Sequence, residues 1–260
     1  MSKHLIVGCG VVGKATGTFL EANNEDVWYC DKKQSLIKTS DKQKWVLSLH
    51  PKSISDFDML WICTPETAVE NILKQLSLTF RNTKFIIVRS TTIPGTLDKL
   101  EKEYKIKTLI HNPEFLREKT SIEDMFFTDR IVVGSNNEYG DYFVKFVYDS
   151  LHCPKVVVNL KTSEMIKQVS NAWLATQISF WNEIKELCDV MKINPQEVSN
   201  AVTLDKRISN YGSIMLGKAF GGNCLPKDLD HLLECFKSQG LQAYVLHMIR
   251  DKNGMLRSKE

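Results

Sequence analysis

Short runs of apolar residues alternate with helix-length segments over the first half of the chain. Seven of these runs predict buried strands, at residues 4–7, 26–30, 59–63, 84–88, 108–110, 130–133 and 155–158. Segments 11–23 and 67–79, which lie between them, have the length of helices. Strand, helix and strand in repetition predict an α/β fold, a doubly wound parallel sheet with helices on both faces.

The pattern changes after Asn159, where apolar residues recur at intervals of three and four. The residues with this helical spacing are Ile166, Val169, Trp173, Thr176, Phe180, Ile184, Leu187 and Met191. They predict one helix of about seven turns, which starts at Ser163 and ends before the Asn194–Pro195 pair. We expect an all-helical second domain at 161–260, with this helix as its spine or as a subunit interface, after a first domain at 1–160.

Composition narrows the class of protein and its compartment. The 34 basic and 31 acidic side chains leave a net charge of +3, which is too small to indicate nucleic acid or an anionic membrane as a partner. No apolar run reaches the ~18 residues of a membrane span. The seven cysteines are scattered without CxxC pairs, which favours free thiols in a reducing cytoplasm over disulfides or a metal site.

A glycine loop, GCGVVG at residues 8–13, follows the first predicted strand and opens a helix. Gly8 permits the tight turn, Gly10 lets the backbone approach a pyrophosphate, and Gly13 allows close packing of helix and strand. Asp31 ends the second strand, where an acid hydrogen-bonds the adenosine ribose and disfavours a 2′-phosphate. This context predicts a Rossmann-type domain that binds NAD rather than NADP.

Two further groups of residues are candidates for chemistry. Lys167 and Asn171 share one face of the long helix and can stabilise an alkoxide, although such a pair is usually only a solvated face. Cys224 follows a double glycine and precedes Pro226, which suits the first turn of a helix. A cysteine at a helix N-terminus beside a cation meets the conditions for a nucleophile, and Asp228, one turn on, can position or deprotonate a water.

With these residues in view, the chain resembles the UDP-glucose/GDP-mannose dehydrogenase family. The matching segments, in family order, are GCGVVG at 8–13, RSTTIPGT at 89–96, HNPEFLRE at 111–118, TDRIVVG at 128–134, EMIKQVSNAWLA at 164–175, WNE at 181–183, DKRISNYG at 205–212 and AFGGNCLPKD at 219–228. The last segment is the most specific, and together they span nearly the whole chain.

The resemblance implies a nucleotide-sugar 6-dehydrogenase that oxidises a primary alcohol twice, with two NAD, most simply UDP-glucose to UDP-glucuronate. Cys224 would capture the intermediate aldehyde as a thiohemiacetal, which the second oxidation turns into a thioester. Lys167 and Asn171 would stabilise the oxyanions, while Asp228 and Thr91 would hold the hydrolytic water.

The family resemblance also implies roles for the remaining site residues. Glu118 would act beside the nicotinamide as acid/base or water-orienting group, and Arg207 would reach the substrate of a neighbouring subunit, which implies a homodimer across the long helix. Cofactor contacts are expected from Gly8, Gly10, Val11, Val12, Gly13, Asp31, Thr64, Pro65, Thr91 and Glu118. Substrate contacts are expected from Glu114, Phe115, Leu116, Lys167, Asn171, Arg207 and Gly221.

Two alternatives stay open at this level. A two-electron dehydrogenase of the β-hydroxyacid type shares the two-domain plan and the Lys-x-x-x-Asn pair, but it has no use for Cys224. A catalytically silent NAD-binding protein would bind the cofactor without turnover. Family enzymes continue with a third, nucleotide-gripping domain, so this chain is expected to be a naturally short member, a fragment, or one part of a split enzyme that needs a separate nucleotide-binding domain or chain.

Overall fold

The computed structural model describes residues 1–33, 43–77, 83–222 and 224–258. The chain divides into two compact units, 1–167 and 168–260. The division falls seven residues after the boundary predicted from the sequence, inside the long helix. In the described part of the chain, none of the helices combines the length and the apolar composition of a membrane span.

The first unit is built on an eight-stranded sheet. Its strands are β1 (Lys3–Val7), β2 (Asp26–Cys30), β3 (Lys44–Trp45), β4 (Met59–Ile62), β5 (Phe85–Val88), β6 (Leu109–His111), β7 (Ile131–Gly134) and β8 (Lys155–Val158). They are ordered 3-2-1-4-5-6-7-8, and the pairs are parallel except β6 with β7. The predicted doubly wound α/β fold is therefore confirmed. The sequence did not reveal the two-residue edge strand β3 or the antiparallel pair.

Helices cover both faces of this sheet. They are α1 (Val11–Ala22), α2 (Pro51–Ile54), α3 (Glu66–Leu76), α4 (Thr96–Tyr104), α5 (Ser121–Phe126) and α6 (Tyr139–Tyr148), with a short 3₁₀ turn at Glu118–Thr120. Because side chains alternate along a strand, Leu5 and Val7 belong to one core with α3 and α4, whereas Ile6 belongs to a second core with α1 and α6. The predicted helix 67–79 begins one residue earlier, and its last two residues lie outside the described ones.

One helix of 32 residues, α7 (Leu160–Met191), passes from the first unit into the second. It starts three residues before the predicted Ser163, because Asn159 Oδ1 accepts the Thr162 N–H at 2.7 Å and so caps the helix. The second unit continues with α8 (Pro195–Val202), a 3₁₀ turn (Gly212–Met215), α9 (Leu225–Ser238) and α10 (Tyr244–Arg257).

The apolar stripe predicted along α7 is largely exposed. Val169, Trp173, Phe180, Leu187 and Met191 are between 48 and 60% exposed. A second face of the helix is the buried one, with Ala172, Ala175, Ile178 and Trp181 in the core of the second unit. The predicted role of this helix as a subunit interface, which would cover the exposed stripe, stays a prediction.

Candidate functional site

The glycine loop lies at the carboxyl end of β1, where the strand order reverses between β1 and β4. Gly8 has φ +95°, and a Cβ there would lie 2.7 Å from the Cys63 carbonyl oxygen. A Cβ on Gly13 would lie 1.9 Å from the Gly8 carbonyl oxygen, whereas one on Gly10 would meet no atom within 4 Å. The first and third glycines are therefore demanded by packing, and the middle one faces open space.

The polar groups around this loop fit a dinucleotide. Gly10 caps α1 without a side-chain hydrogen bond, so the first N–H groups of the helix are available to a pyrophosphate. Asp31 Oδ2 accepts the Cys9 N–H at 2.7 Å, which ties the ribose-binding position to the loop. Within the described residues, the buried hydroxyl oxygen of Thr64 has no hydrogen-bond partner.

A hydrogen bond connects the segments that follow β4 and β5. Ser90, which follows β5, donates its hydroxyl to the Thr64 carbonyl oxygen at 2.6 Å. The backbone of Thr64, which precedes exposed Pro65, is thereby fixed opposite the loop that carries Thr91. Val11 and Val12 open α1 directly after the glycines. These residues follow the carboxyl ends of β1, β4 and β5, and their roles in cofactor binding stay predictions.

Lys167 is 4% exposed and points into the first unit. Its ammonium donates to the Glu114 carbonyl oxygen at 2.6 Å and lies 3.2 Å from the Glu114 carboxylate. It also stands 5.3 Å from the centre of the Phe115 ring, on which the Arg130 guanidinium lies at 4.0 Å. Lys167 is therefore not part of a solvated face; it is a buried cation held by the segment in which Glu114, Phe115 and Leu116 were singled out.

Two other predicted residues of this unit have less defined surroundings. Thr91 is half-buried in the loop between β5 and α4. Glu118 is exposed and begins the short 3₁₀ turn. The roles assigned to both, at the nicotinamide and at the hydrolytic water, stay predictions.

In the second unit the predicted catalytic residues meet at the start of α9. Cys224 is the N-cap of this helix and is exposed, and its carbonyl oxygen accepts the Asp228 N–H at 2.9 Å. Asp228 is completely buried. One carboxylate oxygen accepts the Asn171 amide at 2.5 Å, and the other lies 3.4 Å from the Lys227 ammonium. Asn223, which precedes the cysteine, lies outside the described residues.

The surroundings of the cysteines separate Cys224 from the rest. All seven lie in the described part of the chain, and Cys224 is the exposed one. Burial raises the pKa of Cys9 to about 12 and the pKa values of Cys30 and Cys63 to about 11. Those three thiols stay protonated and unreactive at neutral pH, because the thiolate is the nucleophilic form.

Two asparagines that sequence reasoning missed hold the loop before Cys224. Asn182 on α7 accepts the Gly217 N–H at 2.6 Å and donates to the Lys218 carbonyl oxygen at 2.8 Å. Asn253 on α10 accepts the Phe220 N–H at 2.8 Å and donates to the Phe220 carbonyl oxygen at 3.0 Å. Asn182 stood inside the WNE segment as a clue, whereas no motif marked Asn253.

The last two predicted substrate contacts lie on the surface of the second unit. Gly221 is exposed, and a Cβ there would lie 3.5 Å from an Arg257 guanidinium nitrogen. Arg207 has an 88% exposed side chain and pairs with Asp205 at 2.6 Å. An exposed arginine is compatible with contact to a neighbouring subunit, and that role stays a prediction.

Comparison with family models gives two adjoining matches. Residues 48–152 match the NAD-binding domain of the UDP-glucose/GDP-mannose dehydrogenase family, and residues 161–254 match its central domain. The expected cofactor, NAD, is thereby confirmed. A curated relative, the UDP-glucose 6-dehydrogenase of Rickettsia prowazekii, is 32% identical over 82% of this chain, and this chain spans 53% of that protein.

Solved structures share the fold. A UDP-glucose dehydrogenase from the archaeon Pyrobaculum islandicum matches with a TM-score of 0.88 and 26% identity, over 98% of this chain and 68% of that one. The 3-hydroxyisobutyrate dehydrogenase of Mycobacterium tuberculosis matches with a TM-score of 0.82 over 99% of this chain and 94% of that one. At 14% identity, the second match shows the fold alone.

Proposed function

The chain belongs to the UDP-glucose/GDP-mannose dehydrogenase family, and we propose that it is an NAD-dependent nucleotide-sugar 6-dehydrogenase acting on UDP-glucose. Exposed Cys224 at the N-terminus of α9, one turn from buried Asp228, is the observation that carries this proposal. A β-hydroxyacid-type dehydrogenase has no use for a nucleophilic cysteine there, so the cysteine favours the four-electron reaction.

The cofactor site is assigned to the glycine loop, Asp31 and the Thr64 backbone. The helix α1 N-terminus receives the pyrophosphate, and the Asp31 carboxylate accepts hydrogen bonds from the adenosine ribose. When bound, NAD supplies the electron acceptor for each of the two oxidations of the substrate carbon.

The protein's own residues account for the remaining chemistry. The Lys167 ammonium and the Asn171 amide stabilise negative charge that develops on the substrate oxygen. The Cys224 thiol adds to the aldehyde, its sulfur to the carbonyl carbon and its proton to the carbonyl oxygen, so that the intermediate stays attached between the two oxidations. The second oxidation turns this thiohemiacetal into a thioester. Asp228 and Thr91 hold the water that adds to the thioester, and collapse of this adduct releases the carboxylate and returns the thiol.

The assembly proposed with this function is a homodimer in which exposed stripes of α7 pack together and Arg207 reaches the neighbouring substrate. A nucleotide-binding domain or a separate chain completes the grip on the UDP group. Contacts to this remote part of the substrate contribute to orientation at the reacting carbon, so their loss lowers both affinity and rate.

The stoichiometry of NADH tests the proposal. The full chain is incubated with limiting UDP-glucose and excess NAD, and NADH is followed at 340 nm while the sugar products are quantified. We expect two NADH and one UDP-glucuronate per UDP-glucose. One NADH per substrate would instead support the two-electron alternative, and NAD binding without turnover would support the silent NAD-binding protein or a missing nucleotide-gripping partner.

A substitution at Cys224 tests the role of the cysteine separately from that of the other site residues. Cys224→Ser is expected to form no uronate, because a serine hydroxyl at this position is not ionised at neutral pH and captures the aldehyde poorly. Cys235→Ser on the same helix is the matched control and should keep wild-type turnover. Uronate formation by Cys224→Ser at the wild-type rate would contradict the covalent mechanism.

A further inference from the structure

A buried carboxylate on α7 has no place in the chemistry described so far. Glu164 is 0% exposed, although a charged side chain is rarely buried completely without partners. Its hydrogen-bond partners in the described part of the chain lie in the loop from β5 to α4 and in the first turn of α4. The Thr92 hydroxyl donates to Oε1 at 2.7 Å, the Leu97 N–H donates to Oε1 at 3.0 Å, and the Gly95 N–H donates to Oε2 at 2.6 Å.

These contacts make Glu164 the cap of a helix other than its own. Gly95 is the N-cap of α4 and has no side chain with which to accept the first N–H groups of that helix. The Glu164 carboxylate accepts them from 69 and 67 residues away in sequence. A negative charge at this helix end is also favoured by the helix dipole.

The contact connects two residues to which the proposed reaction assigns roles. Thr91, which would hold the hydrolytic water, directly precedes Thr92. Lys167, which would stabilise the oxyanion, lies three residues after Glu164, about one turn along α7. Glu164 and its three donor residues, Thr92, Gly95 and Leu97, all belong to the first unit. We call the hydrogen bonds between them the tie.

We propose that Glu164 is a positioning residue of the reaction, which fixes the Thr91 loop relative to the turn of α7 that carries Lys167. The proposal rests on the proposed function for the roles of Thr91 and Lys167. The tie itself rests on the three hydrogen bonds and holds whether or not the chain turns over UDP-glucose.

The tie should depend on pH. Among the described residues, the three groups that hydrogen-bond the carboxylate are all donors, so ionised Glu164 binds the loop more strongly than the neutral acid does. Burial raises the pKa of Glu164 to about 7, and the charge of Asp98 on α4 adds to this effect. The other charged groups nearby are the cations Lys161 and Lys167, which lie on the same helix as Glu164. His111, which hydrogen-bonds Ser163, is neutral because burial lowers its pKa. We therefore expect the tie to weaken as the pH falls below about 7.

Backbone amide spectra test the tie directly, without activity. The ¹H–¹⁵N resonances of Gly95 and Leu97 are followed from pH 5 to pH 9 in the full chain. In the wild type both amides should shift downfield as the pH rises through about 7, and Glu164→Gln should abolish this titration. The matched control is Glu101→Gln, which replaces a partly buried glutamate on α4 that accepts a hydrogen bond from Asn136. Equal Gly95 and Leu97 shifts in Glu164→Gln and wild type at pH 8 would overturn the tie.

Kinetics then test the positioning role. With NAD and UDP-glucose at pH 8, Glu164→Gln should lower kcat by about 10- to 100-fold through misplacement of the reacting groups, while KM changes by less than about threefold. Glu101→Gln should keep both constants. An unchanged kcat and pH profile in Glu164→Gln would overturn the role. Absence of turnover in the wild type would count against the proposed function, and the amide spectra would still decide the tie.

If Glu164→Gln does not fold, which circular dichroism would detect, a second variant tests the proposal. Thr92→Val removes one of the three donors and keeps the side-chain shape and the carboxylate. It should shift the Gly95 and Leu97 amides partway and lower kcat by a smaller factor. Wild-type amide shifts and wild-type kcat in Thr92→Val would overturn the proposal in that case.

Discussion

Gly10 and Gly13 belong to the same loop but differ in what surrounds them. A Cβ on Gly13 would overlap the Gly8 carbonyl oxygen at 1.9 Å, and backbone cannot move aside cheaply. A Cβ on Gly10 would meet nothing within 4 Å. The first restriction comes from the fold itself, whereas the second position is restricted only by what binds there.

Alanine at each position should therefore give opposite outcomes. Gly13→Ala is expected to lower the free energy of unfolding by about 1–3 kcal/mol, because the added methyl group forces the glycine loop to shift. Gly10→Ala should keep the stability of the wild type but weaken NAD binding by tenfold or more, because the methyl group occupies the approach of the pyrophosphate. Urea unfolding and titration calorimetry measure the two effects. Wild-type NAD affinity in Gly10→Ala would place the pyrophosphate elsewhere.

His111 gives a pH dependence of stability that can be isolated from the rest of the chain. It is completely buried and shares a 2.6 Å hydrogen bond with Ser163, and burial lowers its pKa to about 3. In the unfolded chain the pKa of His111 is near 6.5, so between about pH 3 and pH 6.5 the histidine is protonated in the unfolded state and neutral in the folded state. Stability therefore falls as the pH decreases from about 6.5 towards 3.

His111→Asn should remove this component. Between pH 7.5 and pH 5 the histidine is expected to cost the wild type about 2 kcal/mol of unfolding free energy, from a slope of about 1.4 kcal/mol per pH unit. Glu164 has the opposite sign, since its raised pKa favours the folded state as the pH falls from about 7 to 4.5. The difference between wild type and His111→Asn at the two pH values isolates the histidine. Equal pH dependence in both proteins would mean that folded His111 is protonated.

At the level of elements, the position of Cys224 depends on helices that do not carry it. The preceding loop is held by Asn182 on α7 and by Asn253 on α10, each of which forms two hydrogen bonds from its side-chain amide to the loop backbone. Arg257 adds a donor to the Phe220 carbonyl oxygen at 3.2 Å. Helix α10 is therefore part of the scaffold of the cysteine loop, although it contains no residue of the proposed chemistry.

Asn253→Ala tests this dependence. It leaves the Phe220 N–H without its buried acceptor, so we expect a loss of about 1–3 kcal/mol of unfolding free energy. We also expect faster reaction of Cys224 with a thiol reagent, because the loop in front of α9 opens more often. Asn200→Ala, on exposed α8, is the control and should change neither quantity. An unchanged labelling rate in Asn253→Ala would show that α10 does not hold the loop.

The elements themselves were largely predictable, because short buried strands and a helical period leave a local pattern. The predicted range 26–30 coincides with β2, and the glycine loop was placed correctly at the end of β1. Long-range partners leave no such pattern. Ser163 was predicted as the local start of α7, but in the structure its side chain fills the space over Gly134, and the neighbouring Glu164 caps α4. Spacing along the chain does not encode contacts of this kind.

At the scale of the whole molecule, the exposed stripe of α7 is the surface that the proposed homodimer would bury. From Val169 to Met191 the stripe runs about 33 Å along the helix, at 1.5 Å per residue. Trp173 and Phe180 are 60 and 57% exposed. Contiguous exposed apolar surface of this length is typical of an interface, since scattered single residues would not repeat along one face.

Charges on the stripe should therefore dissociate the proposed homodimer. The double variant Trp173→Glu and Phe180→Glu is expected to sediment as a monomer at concentrations where the wild type sediments as a dimer, because two buried carboxylates would face their own copies without counter-ions. Tyr142→Glu, an equally exposed aromatic on α6, is the matched control and should leave the dimer intact. The variant should also lose turnover if Arg207 acts on the neighbouring substrate. A monomeric wild type, or a double variant that remains dimeric, would move the interface away from α7.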